Sequence, residues 1–335
     1  MRAHAFVTCI IRNDSYLPGA LVQAHALRRQ ETTADLVCLV TGDVSTAARA
    51  ALGTLFDRVI PVEPIVCRQN ADQRRQYLAQ VLTRVNALRL GADGDLGCAY
   101  EKIVLLDADV LPLRCYDHLF LVDAPAGIVN ERADLFKRTD GSRRYVAGGS
   151  LAYGRWAWHH HYRDVPHGAR VPREITDRVL ADPSNYGINA ALLVLRPSLA
   201  QYTAISRCLA AGAGPAARLA SFRWPDMQFL TAFWSGQWRN VDVCFAGLSG
   251  YPDLSVLFGT HFAGPKPWSI RSRSVVERFS RFPDFRRWYA EYAELVAREP
   301  ALRRVPSLAR IERFVSSREF AIRGECGTLA PARSR

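Results

Sequence analysis

The stretch EKIVLLDADVLPL, residues 101–113, decides the fold. Ile103–Leu106 and Val110 are apolar and read as a buried strand, yet two carboxylates, Asp107 and Asp109, stand one residue apart where it ends. An unpaired buried charge is costly, so the pair requires a cation or solvent. If the two side chains converge, they offer oxygen ligands to a hard divalent ion such as Mn2+ or Mg2+. Two carboxylates do not fill an octahedron, and a diphosphate suits the remaining positions. For an isolated Asp-x-Asp, a pair of solvated turn aspartates stands as an equal reading.

Working outward, the preceding ~110 residues alternate strand and helix patterns in the manner of a parallel α/β sheet. HAFVTCII (4–11) is a strand, and LPGALVQAHALRR (17–29) a helix with Leu17, Ala20, Leu21, Ala24 and Leu27 on one face. LVCLVT (36–41) and RVIPVEP (58–64) are further strands, and Ser45 opens the intervening helix as its N-cap. Residues 72–90 form a long amphipathic helix ended by Gly91. In such sheets the ligand sits beyond the carboxyl ends of the strands, where Asn13, Asp14, Asp107 and Asp109 fall. No GxGxxG and no P-loop is present. Later, YGINAALLVLRPS (186–198) is a strand leading to a helix at Pro197 and Ser198. WPDMQFLTAFW (224–234) is a helix with Pro225 in its first turn. VLFGTHFAGPKPW (256–268) is a strand running into a Gly/Pro loop, and DFRRWYAEYAELVA (284–297) is an amphipathic outer helix.

The 335 residues are 49% hydrophobic, enough for one large domain or two joined ones. No apolar run approaches the ~18 residues that span a bilayer, and the N-terminus lacks a signal-peptide pattern, so a cytoplasmic location is expected. Eight scattered cysteines with no CxxC pair read as reduced core thiols. The net charge of +12 invites a nucleic-acid reading, but it is nearly all arginine spread along the chain; Lys102, Lys137 and Lys266 are the only lysines. A field that attracts a phosphate-bearing substrate is the milder explanation. Lys102 reads as a solvent-facing charge at a strand start, His159-His160-His161 as a solvated or acceptor-facing surface, and Trp234 and Trp238 as core.

The motifs occur in an order that resembles the glycogenin-like members of glycosyltransferase family 8. They are the N-terminal strand and helix, the hydrophobic strand into D-A-D, N-A-A-L-L-V-L-R-P-S from Asn189, the helix at Asp226, and H-F-A-G-P-K-P-W from His261. Together they run from about residue 4 to 268. The resemblance implies a GT-A fold: an α/β, Rossmann-like mixed sheet flanked by helices, in a single large domain. It implies a UDP-sugar donor, Mn2+ (or Mg2+) and transfer of a hexose to a hydroxyl with retention of configuration. It makes Asp107, Asp109 and His261 the metal ligands, with Ala108 between the aspartates. Gly264 and Lys266 become the diphosphate loop, Asn13, Asp14 and Tyr16 the uridine-contacting turn, and Asn189 and Asp226 the residues holding the sugar. Lys266, Asp226 and Asn189 are the expected catalytic set. Arg84, in VLTRVNAL, stands where the family has lysine, and a guanidinium still holds phosphate or carboxylate with a different geometry.

The sequence departs from the family in places. The first turn is one residue longer. The usual Asp-Gln pair reads Asp226-Met227, leaving open whether Gln228 substitutes. The final motif is one residue short, and 131–185 has no good counterpart. The glycogenin acceptor tyrosine falls near Ser249, so self-glucosylation is not expected. The expected organisation is 1–270 as the glycosyltransferase domain and 271–335 as a helical C-terminal extension. Within the first, 1–115 is the nucleotide-binding half and 131–185 an insertion on the acceptor side. The acceptor, a glycan, protein or lipid, is not identified, and a homodimer is left open. Two other functions stand beside this one: a basic, non-catalytic nucleic-acid-binding protein, and a nucleotidyltransferase acting on sugar phosphates.

Overall fold

The computed structural model describes residues 2–67, 73–130, 165–183, 185–250 and 253–315. Most of the expected insertion, with His159, His160 and His161, lies outside these residues, as do Cys326 and the end of the C-terminal extension. The expected alternation is present: β1 (His4–Ile10), α1 (Leu17–Arg29), β2 (Asp35–Val40), α2 (Thr46–Leu52) and β3 (Arg58–Pro61). Ser45 caps α2 by accepting a hydrogen bond from the Ala48 amide. The long helix spans Gln73–Leu90, wound in the tighter 3₁₀ form. The elements β4 (Lys102–Leu106), β5 (Val110–Pro112), β6 (Ala126–Val129), α3 (Arg173–Ala181) and β7 (Ile188–Leu195) come next. They are followed by α4 (Leu199–Ala211), α5 (Pro225–Phe233), β8 (Arg239–Asn240), β9 (Gly247–Leu248) and β10 (Gly259–His261). Three helices close the described chain, α6 (Arg273–Phe279), α7 (Pro283–Arg298) and α8 (Pro306–Glu312). Ser198 caps α4, and Pro225 opens α5.

Seven strands form one mixed sheet in the order β3-β2-β1-β4-β7-β6-β8. The strands β3, β2, β1 and β4 are parallel, and β7 is antiparallel to both β4 and β6. Every residue of β7 is buried, which explains its unbroken apolar run. Leu106 pairs with Leu192, so the carboxyl ends of β1 and β4 meet the amino end of β7 at one edge. The same edge carries a second sheet, β5-β10-β9, in which His261 pairs with Val110. This register brings the stretch around residue 107 to the loop that follows β10.

One hydrophobic cluster covers each face of the sheet. On the first, Trp288, Tyr289 and Tyr292 of α7 share a core with Leu17, Ala20, Ala24 and Leu27 of α1. The C-terminal helices therefore pack into the same core as the N-terminal half. Glu291, fully buried, takes Arg29 at 2.5 Å and Arg287 at 2.7 Å, with His25 at 3.3 Å. A carboxylate in that position requires such pairing. Trp234 and Trp238 lie in the second cluster as core. Lys102 is not solvent-facing: its ammonium donates to the carbonyls of Phe120 and Val122 at 2.7 and 2.9 Å, tying the loop before β6 to the sheet. The seven described cysteines are free thiols. Among the described residues no helix is long and apolar enough to cross a membrane.

Candidate active site

The chain turns where β4 ends. The Val110 amide donates to the Asp107 carbonyl at 3.0 Å, and β5 leaves for the second sheet. A side-chain network fixes this turn. Gln23 of α1 is buried and donates through Nε2 to the carbonyls of Asp107 (2.7 Å) and Val110 (2.9 Å), while its Oε1 accepts from the Thr8 hydroxyl at 2.5 Å. Each polar atom of the amide is used, and the arrangement fixes its orientation. Gly19, one turn earlier, lets α1 come close: a Cβ there would collide with the Ala108 carbonyl and the Trp268 ring.

The two aspartates take different partners. Asp107 is held by Arg84 Nη2 at 2.9 Å, and the same nitrogen lies 3.3 Å from Asp226. Arg84 Nη1 also donates to the Ala190 carbonyl at 2.6 Å, so one guanidinium joins β4, β7 and α5. Asp109 is buried. Its Oδ2 receives the Lys266 ammonium at 2.5 Å, and Lys266 also donates to the Phe262 carbonyl. Asp109 Oδ1 faces His261 Nε2 at 3.4 Å and makes no hydrogen bond; His261 Nδ1 is likewise buried and unbonded. Burial pushes the Asp107 carboxyl up to about 6, against the pull of Arg84. Asp109 goes the other way, because Lys266 and His261 outweigh its burial and hold it below the ordinary carboxylate range. Cys9, beside this cluster, is an inert thiol that burial pushes up to about 12.

The remaining expected residues are placed unevenly. Tyr16 is at the mouth, 40% exposed, with its ring edge-on to Trp268 and 5.8 Å from Lys266 Nζ. Asn13 caps its own turn by accepting from the Ser15 amide. Asp14 accepts from the amide and hydroxyl of Ser45, which ties it to the start of α2. Arg12, just before them, holds a left-handed φ of 71°, stabilised where its amide donates to Thr41 Oγ1. Such strain is common beside binding sites. Asn189 is buried at the start of β7, its Oδ1 accepting from the Ala191 amide. Gln228 does not replace the missing amide. It is fully buried and spent on Pro183, Asn185 and Trp224. Gly264 lies in the loop between His261 and Lys266.

Sequence reasoning missed Gln23 and Thr8. Their signal was faint: a polar residue interrupting the apolar run of each element. Three carboxylates (Asp107, Asp109, Asp226) face two fixed cations (Arg84, Lys266), so the cleft has room for added positive charge. Asp109 and His261 carry donor atoms suited to a divalent ion, while Asp107 is engaged by Arg84. Among the described residues no three His, Cys, Asp or Glu side chains already form a metal-holding group.

The mixed sheet carries an acidic, cation-lined site at one edge, and the class of protein it is compared with is the glycosyltransferases. In sequence the chain is similar to the glycogenins. Human glycogenin-1 is 37% identical over 123 residues, covering 36% of this chain and 33% of that protein. Human glycogenin-2 is 39% identical over 122 residues, 35% of this chain and 22% of that protein. The match thus spans about a third or less of the glycogenins themselves, and over that part the chain is a glycogenin-like homologue, as its motif order implied. An uncharacterized protein of Acanthamoeba polyphaga mimivirus is 24% identical over 280 residues, covering 80% of this chain and 84% of its own. No family model matches. Two solved structures show a weak likeness. The apo bifunctional glycosyltransferase WbbM has a TM-score of 0.47 and 13% identity, covering 86% of this chain and 51% of its own. The galactosyltransferase LgtC with donor and acceptor sugar analogs has a TM-score of 0.46 and 16% identity, covering 83% and 96%.

Proposed function

We propose that this cleft transfers a hexose from a UDP-sugar to a hydroxyl acceptor, with retention of configuration and dependence on Mn2+ or a similar ion. The observation that carries the reading is Asp109. It is a buried carboxylate with one oxygen on Lys266 and the other unbonded opposite His261, at the strand edge where an α/β sheet holds its ligand. Asp109 and His261, with Asp107, would hold such an ion, which would supply positive charge against the diphosphate. The chain's own residues divide the rest. Lys266 turns from Asp109 and Phe262 to the phosphate oxygens as negative charge develops there. Arg84 orients Asp226 and Asp107 together, and Asp226 with Asn189 lines the sugar. Tyr16 and the Asn13 turn border the nucleotide side. The departing phosphate oxygen takes the acceptor proton on the face it leaves. A panel of UDP-sugars with Mn2+, scored by UDP release and by the anomeric configuration of the product, tests this. Release from at least one UDP-hexose with an α-configured product supports it, and no release from any member overturns it.

A further inference from the structure

We propose that a second, phosphate-binding site lies at the opposite end of the main sheet, in a cleft of about 290 Å³ lined by Arg170, Arg196, Arg239, Gln237 and Asp123. The arginines come from three separate segments. Arg196 follows the last residue of β7, Arg239 opens β8, and Arg170 reaches Arg239 through an isolated antiparallel bridge. Asp123 and the Ala124–Pro125 turn complete the wall. From Asn189 to Arg196 the chain advances seven residues along an extended strand, on the order of 20 Å. The cleft is therefore distinct from the one around Asp109.

Its charge is unbalanced. Arg239 lies 3.5 Å from Asp123, the only carboxylate in the lining. The side chains of Arg170 and Arg196 make no hydrogen bond or ion pair among the described residues. Single surface guanidiniums need no ligand in an arginine-rich chain. Here three surround one concavity with a single counter-charge, which leaves an excess of two. A phosphate monoester carries close to two negative charges near neutral pH, and its oxygens match the planar guanidinium fork. Gln237, exposed at the rim, offers both a donor and an acceptor, the pair a sugar hydroxyl uses. The ligand class is a phosphate monoester on a hydroxylated body; a free sugar phosphate and a lipid headgroup share that chemistry.

The test is calorimetric titration of the full chain at low salt with glucose 6-phosphate, with glucose as the neutral control. Flotation with phosphatidic acid vesicles against phosphatidylcholine vesicles forms a second arm. Each is run on wild type and on Arg170→Ala/Arg196→Ala, with thermal unfolding to show that the variant is folded. The expected result is that glucose 6-phosphate binds, glucose does not, and the double variant binds at least 10-fold more weakly. Binding only to phosphatidic acid vesicles, lost in the variant, assigns the same site to a headgroup. Absence of phosphate-dependent binding in both arms, or equal binding by the variant, overturns the proposal. Neither arginine touches the Asp109 cleft, so UDP-sugar turnover in the variant stays at the wild-type rate.

Discussion

Replacing Gln23 by Leu probes how the chain aims its two aspartates. The change roughly keeps the volume but removes three hydrogen bonds, two to the carbonyls that bracket the turn and one from Thr8. At about 1 kcal/mol net for each, the loss in stability is about 3 kcal/mol. The Asp107 carbonyl still receives the Val110 amide, so the turn persists and loosens. A displacement of about 1 Å in a positioned group costs on the order of 10²-fold in rate. Denaturant unfolding reads the first quantity, and UDP release at saturating donor and Mn2+ reads the second. Thr8→Val, which removes one of the three bonds, should lose about 1 kcal/mol and a smaller share of the rate. If Gln23→Leu loses stability but keeps the wild-type kcat, the amide holds the fold together without positioning the aspartates, and the reasoning is refuted.

Three further outcomes are expected. Lys266→Ala should lower kcat by roughly 10²-fold, the scale of one lost transition-state donor, where a purely ground-state contact would raise KM at constant kcat. Gly19→Ala should impair turnover beyond the small change expected of an exposed helical position, because its methyl displaces the Ala108 carbonyl or Trp268; wild-type activity in that variant would remove the close approach from the account. Asp284, buried at the start of α7 with an unbonded Oδ2, has its carboxyl raised from 3.8 to about 6, chiefly by burial. A raised folded-state value means its contribution is complete below about pH 4 and is lost as pH rises through 6. The loss amounts to about 3 kcal/mol. Asp284→Asn should flatten that part of the stability profile between pH 4 and 8, and an unchanged profile would count against the assignment.

Much of this arrangement was legible in the chain. The unbroken apolar run of β7, the strand before Asp107, and the caps at Ser45 and Ser198 are local signals, and local chemistry fixed them. The gathering of Asp107, Asp109, Asp226, His261 and Lys266 was reached through motif order, because no local rule joins residue 84 to residue 226. What the sequence hid depends on register. Lys102 reads as a solvated strand-start charge until the loop at Phe120 and Val122 folds over it. The tie between Asp14 and Ser45 joins two turns that no sequence pattern links. Gln23 looks like a polar interruption of an apolar helix face until α1 lies against the turn. Gln228, a candidate substitute for a missing amide, proves to be the anchor of the segment before β7.

The central claim is that Asp109 shares a divalent ion with a nucleoside diphosphate. Calorimetric titration of UDP, with and without Mn2+, into wild type and Asp109→Asn measures this directly. The account predicts binding by wild type that requires Mn2+, and its loss in Asp109→Asn while the variant still unfolds cooperatively. Metal-independent UDP binding, or Mn2+-dependent binding of equal strength in Asp109→Asn, would contradict it.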